Sequence, residues 1–341
     1  MKKIGYVCLA IATCAVVSLT SCNQTTPTAN NSPAAPSANS TIQTTETSSQ
    51  TSHNTHSKQI NINNAILSEL DKLEAKLGIP ALSNKIQANK PYANPEELVT
   101  KKIITQEQFN QIKDMVTVQE IVLTGEAKDI DYMTKLGLMK GHLYVAKELL
   151  DQNQPKQAEP HIGHPVEEIY VDVEEQLNER KVKEFKTTLG NFQDLVKSNP
   201  KDVKVKTDYT ASIKAVETAI AALPGEQRSQ PKFVLQVING LLDTANSEYG
   251  AAVAGGKISA IIEYQDSRGF VIYANELYKD ISEQMAKDHP EAHKLIVANM
   301  LELTKNWPTA IAPAKPVKTT DEISKLVKAI EQESQKVVGK S

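Results

Sequence analysis
The chain has 341 residues with 38 basic and 41 acidic side chains, an aromatic content of 5%, and three cysteines, Cys8, Cys14 and Cys22, all near its start. A mildly acidic chain gains nothing from non-specific attraction to nucleic acid. With no cysteine beyond position 22, its main body can form neither a disulfide framework nor a thiolate metal site.

Lys2 and Lys3 precede an apolar run from Ile4 to Leu19 that Gly5, Thr13 and Ser18 interrupt only mildly. The run is short for a membrane span and has the layout of a secretory signal peptide. Directly behind it, Leu19-Thr20-Ser21-Cys22 resembles the bacterial lipobox. The resemblance implies that residues 1–21 are a lipoprotein signal peptide and that Cys22 receives the lipid and becomes the new N-terminus. The body is then expected outside the cytoplasm, held by lipid to a bacterial membrane on the periplasmic side or at the cell surface. Residues 22–59 continue as Asn, Ser, Thr, Gln, Pro and Ala with almost no large apolar side chain. Such a composition cannot bury enough surface to offset chain entropy, so a disordered tether is expected.

The remainder is long for one helical core and suggests two domains, residues 60–116 and residues 126–338. Apolar spacing is helical almost throughout and alternating runs are few, so the fold class expected is all-α.

In the first segment Leu67, Leu70, Leu73 and Leu77 recur at helical spacing and lead into Gly78-Ile79-Pro80-Ala81-Leu82 and Lys85-Ile86. Pro95 to Val99, with Phe109, Ile112 and Met115, fits a second helical pair. This order of parts resembles the helix-hairpin-helix domain of the extracellular competence DNA receptors and of the extrinsic photosystem II subunit sharing their fold. In the DNA-binding members a Gly-hydrophobic-Gly hairpin offers backbone N–H groups to a phosphate. Here Gly78 and Ile79 are kept, but Pro80, which has no N–H, stands in place of the second glycine. The expected second hairpin, Lys102-Ile103-Ile104-Thr105, has no glycine at all. The segment therefore reads as a hairpin domain without its phosphate grip, a docking or spacer module, with nucleic acid not its expected partner.

In the second segment, residues 128–151 form a helix apolar over a wide arc, which belongs in the middle of a bundle. His142 lies in one of its two apolar stripes, and Gly141 beside it allows a neighbouring helix to come close. In Pro160-His161-Ile162-Gly163-His164-Pro165-Val166-Glu167, Pro165 suits the first turn of a helix, with His164 as its N-cap. His164 and Glu167 then converge, with His161 near enough to join them. Further on, Glu263 and Asp266 share the helical line that continues through Phe270, Tyr273 and Leu277, and buried carboxylates need a cation or donors. Helices at 201–223, 230–253 and 291–305, a proline-interrupted crossing with Trp307 as a packing anchor, and a last helix at 321–337 complete the chain.

Bundles that bind metals take His and carboxylate ligands at three- and four-residue spacing from facing helices. The expected ligand set is His142, His161, His164, Glu167, Glu263 and Asp266, suited to iron, zinc, copper or manganese. The other reading is structural, with a buried histidine satisfied by one carboxylate and Arg268 pairing with Asp266 or Glu263. Gly163-His164-Pro165-Val166-Glu167 also resembles the Gly-x-His-x-x-Glu region of the imelysin-like periplasmic proteins, although Ile162 stands where that motif has its glycine. That resemblance implies a helical bundle associated with iron uptake. No nucleophile motif, phosphate loop or His-Glu-x-x-His pair occurs, so an enzyme is not expected. The functions that fit are a membrane-anchored lipoprotein whose bundle binds a metal or small ligand, a module that docks on an envelope protein, and, third, a DNA receptor.

Overall fold
The computed structural model describes residues 59–120 and 122–339. The expected signal peptide, the lipidated Cys22 and nearly all of the tether fall on residues 1–58, outside the described residues. The fold is all-α, as composition and spacing predict.

The first segment begins with β1 (Ile60–Asn61), followed by α1 (Leu67–Leu77), α2 (Leu82–Ala88), α3 (Glu97–Thr100), α4 (Gln106–Ile112) and β2 (Val116–Thr117). β1 and β2 pair in parallel, Ile60 with Val116, so the two ends of the segment meet. Leu70, Leu73, Leu82, Ile86, Leu98, Phe109 and Ile112 form a small core of its own. α1 stops at Gly78, whose φ of +63° only glycine adopts without penalty, and the Gly78 N–H closes on the Glu74 carbonyl.

The second segment opens with α5 (Gly125–Asp151), α6 (Pro155–Ala158), α7 (Pro160–His164), a π-helical turn (Pro165–Ile169) and α8 (Tyr170–Glu179). Next come α9 (Lys186–Ser198), α10 (Lys204–Ile220), α11 (Gly225–Ser229) and α12 (Pro231–Ala252). A short antiparallel pair, β3 (Val253–Ala254) and β4 (Lys257–Ile258), turns the chain into α13 (Ile261–Asp288). α14 (Pro290–Thr304) and α15 (Thr320–Val338) close the fold. Prolines at the first position start α6, α7, α12 and α14. A capping box between Thr319 and Glu322 starts α15.

α12 packs on α13 and α15, α13 on α14, and α14 on α15, which makes a ring of four helices. α5 lies against α12 and α13 on the outside of that ring, with α10, α9 and α7 around it. Tyr132, Leu136, Met139, Leu143, Phe233, Leu241, Phe270 and Ile296 are among the apolar side chains of this larger core. Each contributes about 1.5 to 3 kcal/mol by leaving water.

Two contacts fix the arrangement. α5 and α13 meet backbone to backbone: a Cβ on Gly269 would lie 2.2 Å from the carbonyl oxygen of Gly141. α1 also settles onto α12, where a Cβ on Gly250 would stand 2.9 Å from the Ala75 Cβ. Ile66, just ahead of α1, joins the larger core, and all described residues belong to one compact unit.

The reading of His164 as a helix N-cap is corrected. His164 has helical φ and ψ, −54° and −47°, and the chain is helical on both sides of it. Pro165 lacks an N–H and its ring crowds the carbonyl four residues back, so the helix widens there instead of starting there. The Tyr170 N–H reaches the Pro165 carbonyl, five residues away, which is the π-type bond.

Candidate metal centre
The closest point of α5 and α13 carries the polar cluster. Gly141 places His142, and Gly269 sits one turn beyond Asp266, so the two side chains face each other across the tightest helix crossing. α7 supplies His161 from a third side. His142 and His161 are fully buried and Asp266 is 2% exposed. One oxygen of Asp266, Oδ1, lies 2.7 Å from His142 Nδ1 and 2.6 Å from His161 Nδ1. Three groups from three helices thus offer donor atoms that all lie within 4.8 Å of one another.

The hydrogen-bond accounting around this cluster does not close. The Gln265 amide donates from Nε2 to the Ala310 carbonyl at 3.0 Å and to Gln157 Oε1 at 2.8 Å, which turns its own Oε1 to His161 Nε2 at 2.8 Å. His161 must therefore carry a proton on Nε2, and a neutral ring then presents the Nδ1 lone pair to a carboxylate oxygen. Two lone pairs cannot face each other at 2.6 Å. Something positive has to stand there, either a second proton on the ring or a cation that both groups bind.

His142 is also unsatisfied. Its Nδ1 is close to Asp266 but out of line for a hydrogen bond, and neither ring nitrogen has a partner. Leaving a buried polar atom unpaired costs about 1 to 3 kcal/mol. Burial drives the His142 pKa down, against the pull of Asp266. Burial also works against ionisation of Asp266, yet the flanking His142 and His161 hold it well below the usual carboxylate range.

The other expected ligands divide. His164 is only partly buried, with Nδ1 3.6 Å from Asp266 Oδ2 and its ring edge-on to that of His142 at 5.3 Å between centroids. Burial opposes its imidazolium, but Asp266, Glu168 and Glu263 outweigh this and push the pKa up to about 9. Glu263 stands beside Asp266 on the wall of an adjoining cavity. Burial, and then the Asp266 and Glu74 charges, raise its pKa.

Glu167 is not brought to the cluster: it is exposed and accepts a bond from Gln193 Nε2 at 3.3 Å. The cause is the π-helical turn, which inserts an extra residue and moves the position facing His164 from Glu167 to Glu168. Glu168 instead takes the inward place, accepting from the Leu67 N–H at the start of α1 at 3.1 Å. Arg268 does not pair with Asp266 or Glu263. It binds Glu148 at 2.8 Å and donates to the Trp307 carbonyl, clipping the proline-interrupted crossing over the site.

Gln265, Glu168, Asp71 and Glu248 escaped the sequence reading. Glu248 could have been found, because Leu241, Ala245, Glu248 and Ala252 follow one buried helical stripe of α12. Asp71 could not, since nothing local says that the far face of α1 is covered. Burial first, and then the neighbouring Glu74, Glu263 and Asp266, push the Asp71 pKa up to about 8. Burial with Asp71 and Asp266 raises that of Glu248 well above the carboxylate range.

At the hairpin, Gly78, Ile79 and Pro80 turn α1 into α2, but the free amides there are occupied. The Glu74 carboxylate accepts from the Ala81 N–H at 2.8 Å and from the Ser83 N–H at 3.2 Å.

No curated protein and no solved structure matches the chain. Residues 224–341 match the family model of the iron permease-associated 4-helix bundle domain. The matched stretch is less than half of the chain and holds α12, α13, α14 and α15, the four helices that form the ring. It contributes Gln265 and Asp266 to the cluster, while His142, His161 and His164 come from helices outside it. In its C-terminal part, then, this chain is similar to a helical bundle domain associated with iron permeases.

Proposed function
We propose that this protein is a membrane-anchored extracytoplasmic metal-binding protein that serves an iron permease. Its centre is His142, His161 and Asp266, and the ion it takes is a divalent transition metal, with iron ahead of zinc, copper and manganese. The observation that carries the reading is that His142, His161 and Asp266 bring three buried donor atoms from three helices within 4.8 Å of one another, with neither ring nitrogen of His142 engaged in a hydrogen bond. Imidazole with carboxylate is a donor set for first-row transition metals, and Gln265 supplies the outer acceptor that a ligating histidine ordinarily has. The likeness of residues 224–341 to an iron permease-associated domain favours iron and a membrane permease as partner.

We read the lipobox-like Leu19-Thr20-Ser21-Cys22 as the anchor that keeps the bundle at the membrane surface. The role is binding and delivery rather than catalysis. The hairpin segment, with its amides bonded to Glu74, supports docking and structure rather than contact with nucleic acid. The imelysin-like reading adds no ligand, because the Glu of that motif, Glu167, faces away from the histidines.

The test is elemental mass spectrometry on purified protein and on a His142→Ala/His161→Ala variant, each titrated with Fe(II), Zn(II), Cu(II) and Mn(II). Near-stoichiometric metal in the parent and none in the variant, with helical circular dichroism retained, supports the reading. Absence of metal from both refutes it. A Cys22→Ser change is expected to release the protein from the membrane fraction, and unchanged fractionation would remove the anchor.

A further inference from the structure
The histidine cluster is closed on most sides. Between α5 and α13 the backbones touch at Gly141 and Gly269 and admit nothing. Behind His161, the Gln265 amide is tied to Gln157 and to the Ala310 carbonyl, and Arg268 clips the crossing over them. The remaining side is that of Asp266 Oδ2 and His164, the least buried of the three histidines. It borders a cavity of about 120 Å³.

The two walls of this cavity come from different parts of the chain. The inner wall belongs to the bundle and includes His164, Glu248, Glu263 and Asp266. The outer wall is the first segment alone, with Ser68 and Asp71 of α1 and Ser83 and Asn84 of α2. That segment is a body in its own right. It has a separate core, and of its buried apolar side chains only Ile66 joins the larger one. Its two ends are paired through β1 and β2, so it hangs from the bundle by the connection between β2 and α5. That connection ends at Gly125, whose φ of +56° favours glycine. Against the bundle the segment is held by α1 on α12, by the Leu67 N–H on Glu168 at 3.1 Å, by Ser68 on Glu248 and, at the solvent edge, by Lys72 with Asp243. A unit with its own core and few ties to its neighbour opens at a lower free energy than the fold as a whole.

We infer that the first segment is a cover over the histidine cluster: α1 and the start of α2 lift from α12 as one body to admit the ion and settle back to shut it from water. The inference rests on the cluster being the metal centre, whereas the covering stands on which residues wall the cavity. Ile66 is the plug that seats the cover, and Glu168, turned inward by the widened turn after His164, is its catch on the start of α1. A cover of this kind sets how fast an ion passes and not how tightly it is held.

The experiment uses the full chain with its own three cysteines replaced by serine. In this background Lys72→Cys/Asp243→Cys is joined by a short thiol-reactive cross-linker and compared with the unjoined form and with Ile66→Ala. Uptake of Zn(II) is followed by stopped flow, and its release by transfer to a chromogenic chelator. The cross-link is expected to slow uptake and release alike by about tenfold or more, and Ile66→Ala to speed both by about as much, with the dissociation constant held within about twofold. Uptake and release that the cross-link leaves unchanged overturn the cover. So does a change in release alone with the affinity shifting to match, which makes the segment part of the framework of the site. The second readout needs no metal. In metal-free protein, diethyl pyrocarbonate is expected to modify His142 and His161 more slowly in the cross-linked chain than in the unjoined one, and faster in Ile66→Ala with its helical circular dichroism retained. Equal modification in all three forms overturns the cover. The expected order without any bound Zn(II) keeps the cover and removes the metal centre beneath it.

Discussion
Two groups of buried acids in the molecule are treated in opposite ways. Near the start of α5, Lys135 stands between Asp131, at 3.0 Å, and Asp172, while Arg180 pairs with Asp129. Burial alone would lower the Lys135 pKa, but its two aspartates hold it above its ordinary value. In the other group Asp71 of α1, Glu248 of α12 and Glu263 and Asp266 of α13 line a cavity with His164 and with no lysine or arginine. A chain that can place a lysine between two aspartates uses one where the positive charge is to be permanent. Where it places imidazoles instead, the charge is left to something that can come and go.

The largest effect should come from the crossing that holds the second group together. Gly269→Ala sets a methyl group 2.2 Å from a backbone oxygen, which no side-chain rotation relieves. The expected cost is about 3 kcal/mol in thermal or denaturant unfolding, with loss of metal at the histidines. Retention of full metal affinity would show that the crossing is not what sets the ligand geometry.

Next in size is the contrast between the groups. Lys135→Met strips Asp131 and Asp172 of their shared cation and should cost about 3 kcal/mol whether or not metal is present. Asp71→Asn in metal-free protein should cost nothing or stabilise. Equal losses in urea melts would erase the distinction drawn here. Gln265→Leu then removes the acceptor that orients His161, and a 10- to 100-fold loss of metal affinity is expected by titration.

The pH dependence of metal-free protein gives a smaller, directional test. Asp71 faces Glu74 on its own helix, Glu248 on α12, Glu263 and Asp266 on α13, and His164. Its pKa rises from 3.8 in the unfolded chain to about 8 in the fold, so between these values the folded state keeps a proton that the unfolded state has lost. Stability therefore declines as pH climbs through that window and levels off above it. His164, shifted from 6.5 to about 9, adds a decline of the same sign at the upper end. Asp71→Asn should flatten the lower part of the curve, and a profile that instead rises with pH would contradict these shifts. Least affected should be Glu167→Gln, with metal content unchanged and stability within about 0.5 kcal/mol.

Most of the helices and the burial of His142 beside a close-approach glycine were legible in the sequence, because 3.6-residue periodicity and small residues are local signals. So was the pairing of Glu263 with Asp266 on one line of a helix. The order of importance among the histidines was not. A proline after His164 reads as a helix start, and only the packing of α7 against α5 and α13 turns it into a widened turn that brings Glu168 inward and sends Glu167 out. Asp71 and Gln265 were invisible for a different reason. Their roles depend on which distant element covers them, and helical spacing carries no information about a neighbour's identity.

The touching backbones of Gly141 and Gly269 have one further consequence. α5 and α13 meet there too closely to admit a side chain between their backbones, and Gly137 meets the Tyr273 ring a further turn along. Asp266 and His142 sit beside that contact. An ion taken by this pair would therefore have to enter from another side, past the widened turn after His164 and the start of α1, where the Leu67 N–H is held to Glu168 by a hydrogen bond.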